Sequence, residues 1–150
     1  MLKQNQDPVN EIVLQFPSHS ENEAFARTAA GAFLVPADPT VEELSDIKTA
    51  VSEAVTNAIV HGYPAETGTI TMTARLYADR TLELTVEDQG VGIPDIPRAR
   101  EPMFTTGGEE RSGMGFTIME HFMTCLDVES QPGKGTRVTM SRRLSGGPEA

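Results

Sequence analysis

Glu53, Asn57 and His61 stand four residues apart in the run Ser52-Glu53-Ala54-Val55-Thr56-Asn57-Ala58-Ile59-Val60-His61-Gly62-Tyr63. On a helix, residues at i, i+4 and i+8 project from nearly one face. The positions between them are mostly apolar, so an acid, an amide and an imidazole would line a half-buried face, an arrangement suited to holding something charged. The same residues also fit an ordinary helix, with Glu53 solvated and Asn57 bonding locally. His61 suits the helix end, where a cation is favourable.

A second group emerges from strand parity. Leu82, Leu84, Val86 and Asp88 alternate along one run, so the carboxylate follows three apolar side chains toward the core, where a charge is costly unless paired or hydrogen-bonded. Gly90 and Gly92 follow and permit tight turning and close approach of a ligand. An inward carboxylate beside such a loop suits a flat hydrogen-bond donor such as the amino group of adenine; it suits equally a carboxylate capping its own loop. A third group is Arg111-Ser112-Gly113-Met114-Gly115-Phe116, a glycine-containing loop entering a helix, whose free backbone N–H groups and dipole favour phosphate. Arg111 could add charge-assisted bonds to a terminal phosphate. Beside such a site Asn57 could complete the octahedral shell of a Mg²⁺ whose other ligands are phosphate oxygens and waters. Glu53, one turn earlier, could orient or deprotonate a nucleophile aimed at the terminal phosphate.

The elements that must position these groups can be read from periodicity. Glu11 to Phe16 is a strand ended by Pro17. Ser20-Glu21-Asn22-Glu23 is a capping-box pattern opening a helix through about Val35, and Pro36 to Pro39 break it. Thr40-Val41-Glu42-Glu43 is a second capping box. Leu44, Ile47, Val51, Ala54, Val55, Ala58 and Ile59 follow at helical spacing, and the helix ends at His61-Gly62. Ile70 to Leu76 and Leu82 to Asp88 alternate around a turn at Ala78-Asp79-Arg80, the pattern of antiparallel strands with one face on a core and one wet. Gly90 to Gly113 reads as a long loop, which inside a small domain is functional or disordered. Met114 to Cys125 reads as a helix with Phe116, Met119, Phe122 and Met123 inward. Leu126 to Ser130 and Thr136 to Arg143 form a hairpin around Pro132-Gly133-Lys134-Gly135, and the tail from Ser145 is expected to fray.

Composition bounds the function classes. The 150 residues, 38% hydrophobic and 5% aromatic, fit one domain over residues 1–150 with a single core and no internal repeat or linker. A formal net charge of −10 argues against a generic nucleic-acid or anionic-membrane binder, both of which need a basic surface. It fits partners with basic faces, and solubility alone explains it as well. Cys125 is the only cysteine, so no internal disulfide forms, and its apolar neighbours mark it as a buried small hydrophobe. No apolar run approaches a membrane span, and the expected location is the cytoplasm.

Glu53-x-x-x-Asn57, Asp88-x-Gly90-x-Gly92 and Gly113-Met114-Gly115, in this order, resemble the ATP-binding fold shared by gyrase, heat-shock chaperone ATPases, histidine kinases and mismatch-repair ATPases. The resemblance runs from about Glu11 to Arg143. Within that superfamily the small single-domain form with the Ser52–Tyr63 run, Phe104-Thr105-Thr106 and Glu110-Arg111-Ser112-Gly113-Met114-Gly115-Phe116-Thr117-Ile118-Met119-Glu120 is similar to the anti-sigma F family of endospore-forming bacteria, which are serine protein kinases. The resemblance implies a Bergerat-type α/β fold, an α+β two-layer sandwich whose mixed, mostly antiparallel sheet carries helices on one face. It implies ATP and Mg²⁺ as cofactors, Glu53 as general base, Asn57 as Mg²⁺ ligand and Asp88 on the adenine amino group. Gly90 and Gly92 would shape that pocket and Thr136 would help hold the base end. Residues 94–115 would be a mobile lid over the phosphates, carrying Gly107-Gly108 and Glu109-Glu110, with Arg111 near the γ-phosphate and Gly113 and Gly115 in the phosphate box. The implied partners are sigma factor F, an anti-anti-sigma factor phosphorylated on serine, and a second copy in a homodimer, with Glu11 to Phe16 an edge for pairing. Arg27 matches a partner-contact position, although by itself it reads as a solvated surface arginine.

Two other readings compete. A nucleotide-gated binding module without catalysis would use the same binding residues. The ATP-binding half of a two-component histidine kinase would need a helical phosphoacceptor hairpin, and His19, His61 and His121 are not arranged as one.

Overall fold

A computed structural model describes residues 7–101 and 115–146. The order of elements is β1 (Asn10–Pro17), α1 (Glu21–Leu34), a 3₁₀ turn (Val35–Ala37), α2 (Val41–Asn57), a π-helical turn (Ala58–Gly62), β2 (Thr69–Leu76), β3 (Thr81–Asp88), α3 (Ile96–Ala99), α4 (Gly115–Phe122), β4 (Cys125–Gln131) and β5 (Gly135–Arg143). The five strands form one sheet in the order β1-β2-β3-β5-β4, and every pairing among the described strands is antiparallel. The helices lie on one face, with α2 packed between α1 and α4.

Alternation decides which face they cover. Ile70, Met72, Ala74, Leu82, Leu84, Val86, Val138 and Met140 are buried under the helices, meeting Ala26, Ala30, Leu34, Ile47, Val51, Val55 and Met119. The opposite face is polar but less wet than alternation predicts, since Thr73, Glu83, Thr85, Thr139 and Ser141 are all buried. Long neighbours cover them: Arg75 lies across to Glu11 at 2.6 Å and to Glu83 at 3.3 Å, and Arg137 reaches Glu87 at 2.8 Å. Threonines in adjacent strands fit this pleated surface, with Thr85 opposite both Thr73 and Thr139.

Capping shows why sequence pattern alone is not enough. At α2 the box forms as expected: Thr40 Oγ1 accepts from Glu43 N–H at 3.0 Å and Glu43 Oε1 accepts from Thr40 N–H at 2.9 Å. At α1 the helix starts where expected, but Ser20 makes no side-chain cap. Glu23, its would-be partner, instead accepts from the Ser52 hydroxyl on α2 and pairs with Arg27 at 3.4 Å. A tertiary bond has displaced the local one.

Leu144 and Ser145, just after β5, are held in place where the composition implies a frayed tail. Leu144 is buried, Ser145 N–H donates to Glu43 Oε2 at 2.7 Å, and Arg80 donates to Ser145 O at 2.7 Å. Arg80 makes this contact from the β2–β3 turn, where its φ is 72°. The last helix stops at Phe122, with Met119 and Met123 buried and Phe122 only half-buried. Cys125 is therefore the first residue of β4, half-buried at the sheet rather than in the core.

Candidate nucleotide site

The long helix changes register just where its polar row needs it. α2 is regular through Asn57, then Ala58–Gly62 form a π turn, a feature that concentrates at functional sites. Glu53 and Asn57 thus share a regular α-helical face, while His61 lies in the π turn beyond it, at the helix stop. The π turn delivers Gly62 against the end of β3. A Cβ on Gly62 would stand 2.8 Å from Asp88 Cγ, and a Cβ on Gly90 would stand 1.9 Å from Gly62 O. Only glycine permits this approach.

Asp88 closes a cross-strand row that runs Phe16, Ile70, Asp88, Thr136, Ser130 across the five strands. The row is apolar on β1 and β2 and polar from β3 on, so the core gives way to a hydrogen-bonding floor at this end of the sheet. Asp88 is 6% exposed, and its Oδ1 accepts from Gly90 N–H at 2.9 Å. Burial pushes its carboxyl above the usual aspartate range, opposed by hydrogen bonds from the Gly90 and Thr136 backbones. Asp88 therefore does cap its own loop, as one of the two sequence readings held. A carboxylate offers about four acceptor positions, so a ligand donor can be served as well.

The loop after Asp88 is laced on both sides. Gln89 N–H donates to Tyr63 Oη at 2.7 Å and Val91 N–H to Gly62 O at 2.9 Å. Ile93 N–H donates to Ser130 Oγ at 2.7 Å, and Ser130 Oγ also lies 2.9 Å from Thr136 Oγ1. Gly92 has φ 80°, and a Cβ there would stand 2.2 Å from Gln131 O. Asp88, Ser130 and Thr136 border an open cleft of about 270 Å³ at the strand ends, together with Lys134 and Arg137.

Gly115, expected in the phosphate box, stands at the start of α4. A Cβ there would lie 3.1 Å from Asn57 Nδ2 and 3.3 Å from Glu53 Oε1, so the first turn of α4 meets the Glu53–Asn57 face directly. Arg111 and Gly113 lie outside the described residues. Of the expected lid, residues 94–101 and 115 are described and 102–114 lie outside the described residues; 94–101 contain α3, capped by Asp95 Oδ1 on Arg98 N–H at 3.1 Å. Arg100 Nε then donates to Glu120 Oε2 at 3.0 Å, tying this segment to α4.

Glu53, Asn57, Asp88, Gly90, Gly92, Gly115 and Thr136 are thus gathered around the ends of α2, β3, β5 and α4. Arg27 stands apart on α1, 3.4 Å from Ser52 Oγ and 3.4 Å from Glu23. Sequence reading missed Tyr63 and Ser130. Ser130 shares the parity of buried Val128, and Tyr63 is an aromatic directly after the helix-ending glycine; both signals were present.

The profile of the histidine kinase-like ATPase domain family matches residues 16–142. Among known proteins, the anti-sigma F factor of Geobacillus kaustophilus is 54% identical over 91% of this chain and 94% of its own length. That of Clostridium perfringens is 49% identical over 91% of this chain and 98% of its own length. Among solved structures, the RsbU and RsbW domains of a Mycobacterium tuberculosis protein superpose with TM-score 0.67 at 21% identity, covering 91% of this chain and 33% of that one. The histidine kinase domain of an Erythrobacter litoralis blue-light activated histidine kinase gives 0.55 at 29% identity, covering 70% of this chain and 46% of that one. The fold is that of an ATP-binding, kinase-like ATPase domain, and the chain belongs to the anti-sigma F factor family.

Proposed function

We propose that this protein is an ATP-dependent serine protein kinase and anti-sigma factor, which binds and inhibits sporulation sigma factor F and phosphorylates a serine of its anti-anti-sigma antagonist. The observation that carries the reading is the meeting of Gly115 with Glu53 and Asn57. It brings an acid, an amide and a helix N-terminus to one point, while the π turn that ends the same helix packs Gly62 against the buried Asp88 carboxylate. That arrangement suits a nucleotide, with base at Asp88 and phosphates at α4.

Asp88 accepts from the adenine amino group, with Gly90 and Gly92 keeping backbone clear of the ring and Thr136 flanking the base end. Backbone N–H groups at Gly113 and Gly115 and the Arg111 guanidinium hold phosphate. Among the described residues no cluster of three His, Cys, Asp or Glu side chains could hold a metal by itself. Asn57 with its amide oxygen fits the protein share of a Mg²⁺ shell otherwise built from phosphate oxygens and water. MgATP supplies the transferable phosphoryl group and the charge neutralisation around it. Glu53 accepts the proton of the substrate serine hydroxyl as that oxygen bonds the γ-phosphorus and the β–γ bridging oxygen departs with ADP, keeping the electron pair.

Partner binding is read from the surface. Arg27 on α1 is held by Glu23 and by Ser52, the residue before Glu53 on α2, which supports a partner seated on Arg27 lying near the base. The edge strand β1 exposes Val13, and Val9 just before the strand is exposed as well, which supports pairing with a second copy. Incubation with γ-labelled ATP, Mg²⁺ and the anti-anti-sigma partner tests the reading. Acid-stable phosphoserine on the partner is expected. ATP-dependent partner binding with no transfer would favour the non-catalytic binding module, and acid-labile phosphate would favour a histidine kinase activity.

A further inference from the structure

Three consecutive backbone N–H groups shape the loop beside Asp88, and each is held by a different kind of acceptor. Gly90 N–H is bound by Asp88 itself at 2.9 Å, Val91 N–H by the Gly62 carbonyl at 2.9 Å, and Gln89 N–H by the Tyr63 phenol at 2.7 Å. Tyr63 is the only side chain from the helix end among these three holds. Its hydroxyl donates in turn to Thr69 O at 2.8 Å, so a single oxygen accepts from the loop and donates to the start of β2.

The ring is seated as firmly as the hydroxyl. A Cβ on Gly68 would fall 2.1 Å from Tyr63 Cε1 and 2.3 Å from Cζ, so glycine at that position makes room for the ring. Gly68 is fixed from its other side, its N–H donating to Ser18 Oγ at 3.0 Å and its carbonyl accepting from Ser18 N–H at 2.8 Å. The ring is thus wedged between the anchored 62–69 connection and the loop. Gln89 is exposed, so a strut that only filled core would not be placed here.

We infer that Tyr63 is a positioning residue for adenine recognition: by holding Gln89 N–H it sets the direction in which the Asp88 carboxylate and the Gly90–Gly92 backbone face the base. This rests on the assignment of Asp88 to the adenine amino group. The Tyr63 hydroxyl is bonded to Gln89 N–H and Thr69 O, so it reaches the base through the loop. Losing it therefore weakens ATP and ADP alike and narrows the preference for adenine over guanine nucleotides.

The test compares Tyr63→Phe, Gly68→Ala and Asp88→Asn by calorimetric titration with MgATP, MgADP and MgGTP, alongside thermal melts and amide exchange. Tyr63→Phe keeps the ring and removes the two bonds of its oxygen. It is expected to raise Kd for ATP and ADP by the same factor, about three- to ten-fold, to lower the ATP/GTP ratio, and to speed exchange at the Gln89 amide. Gly68→Ala, which displaces the ring, should reproduce the shared loss at temperatures well below its melting point. If Asp88→Asn loses ATP while both other variants bind as wild type, the inference about Tyr63 is wrong and the Asp88 assignment stands. If Asp88→Asn binds ATP unchanged, the assignment itself fails. A fall in melting temperature with Kd and purine preference unchanged would make Tyr63 a purely structural strut and overturn the inference.

Discussion

Replacing Asp88 by asparagine separates stability from binding in a way few other substitutions here can. The side chain is 6% exposed, and its Oδ1 already accepts from Gly90 N–H. Asparagine is nearly isosteric and keeps one oxygen, with two lone pairs, for the Gly90 and Thr136 backbone N–H groups, so the loop geometry is expected to survive. What changes is the second oxygen, which becomes an NH₂ donor toward the adenine amino group proposed to sit there, also a donor. Loss of a hydrogen bond to a charged acceptor costs about 1.5–3 kcal/mol, or roughly ten- to more than hundred-fold in affinity. Both ATP and ADP should weaken by this factor, since the contact is to the base. The nucleotide-free protein should respond oppositely. Burial raises the Asp88 carboxyl above its ordinary value of 3.8, so the native state binds its proton more tightly than the unfolded chain. By linkage, that group's contribution to stability falls as pH rises from the ordinary value through the raised one, and stays at its low level above it. Asparagine removes this loss, so the variant should melt no lower than wild type at neutral pH and should lack that segment of the pH–stability profile. Calorimetric titration and melts from pH 3 to 8 measure both arms. Binding of ATP within about two-fold of wild type, or a clear drop in melting temperature at neutral pH, would refute the reasoning.

Two further substitutions test the positioning of the site. Glu43→Gln removes the charge and leaves one acceptor oxygen where two now serve the α2 cap and the Ser145 anchor; it should cost about 1–3 kcal/mol, seen as a melting temperature lower by roughly 2–4 °C per kcal/mol. Although burial works to raise it, hydrogen bonds from Ser145 and Thr40 hold the Glu43 carboxyl below its ordinary 4.5, so its stabilisation is complete above that value and is lost as pH falls toward the lowered one, and the variant's deficit should shrink in acid. Gly115→Ala puts a methyl 3.1–3.3 Å from Asn57 and Glu53, displacing both by a few tenths of an ångström; phosphoryl transfer should fall about ten-fold while ADP affinity changes far less, measured by single-turnover labelling beside calorimetry.

The parts of this fold that were legible in the sequence are those governed by local periodicity. The alternation of Leu82, Leu84, Val86 and Asp88 placed the carboxylate on the core face, and Thr40 to Glu43 announced a cap that forms atom for atom. The parts that were not legible depend on partners distant in the chain. Ser20 and Glu23 carry the same capping pattern, yet Glu23 is taken by Ser52, 29 residues away. The π turn at Ala58–Gly62 leaves no trace in hydrophobic spacing, because it shifts the backbone ladder without moving an apolar residue out of place. Ser145 looked like a tail and is an anchor, since its acceptor Glu43 lies 102 residues away. At the site, Glu53, Asn57 and Asp88 were visible as polar side chains in apolar company. Tyr63 was visible as an aromatic after the helix-ending glycine, but its bond to the Gln89 backbone N–H, 26 residues away, has no sequence signature.

The central claim is that Glu53 serves as the base for transfer to a partner serine, beside a nucleotide held by other residues. Single-turnover labelling of the anti-anti-sigma partner by Glu53→Gln, with ATP affinity measured on the same preparation, tests it most directly. The account predicts ATP binding close to wild type and phosphoserine formation slower by about a hundred-fold or more. Transfer at the wild-type rate by a variant that binds ATP normally would contradict it.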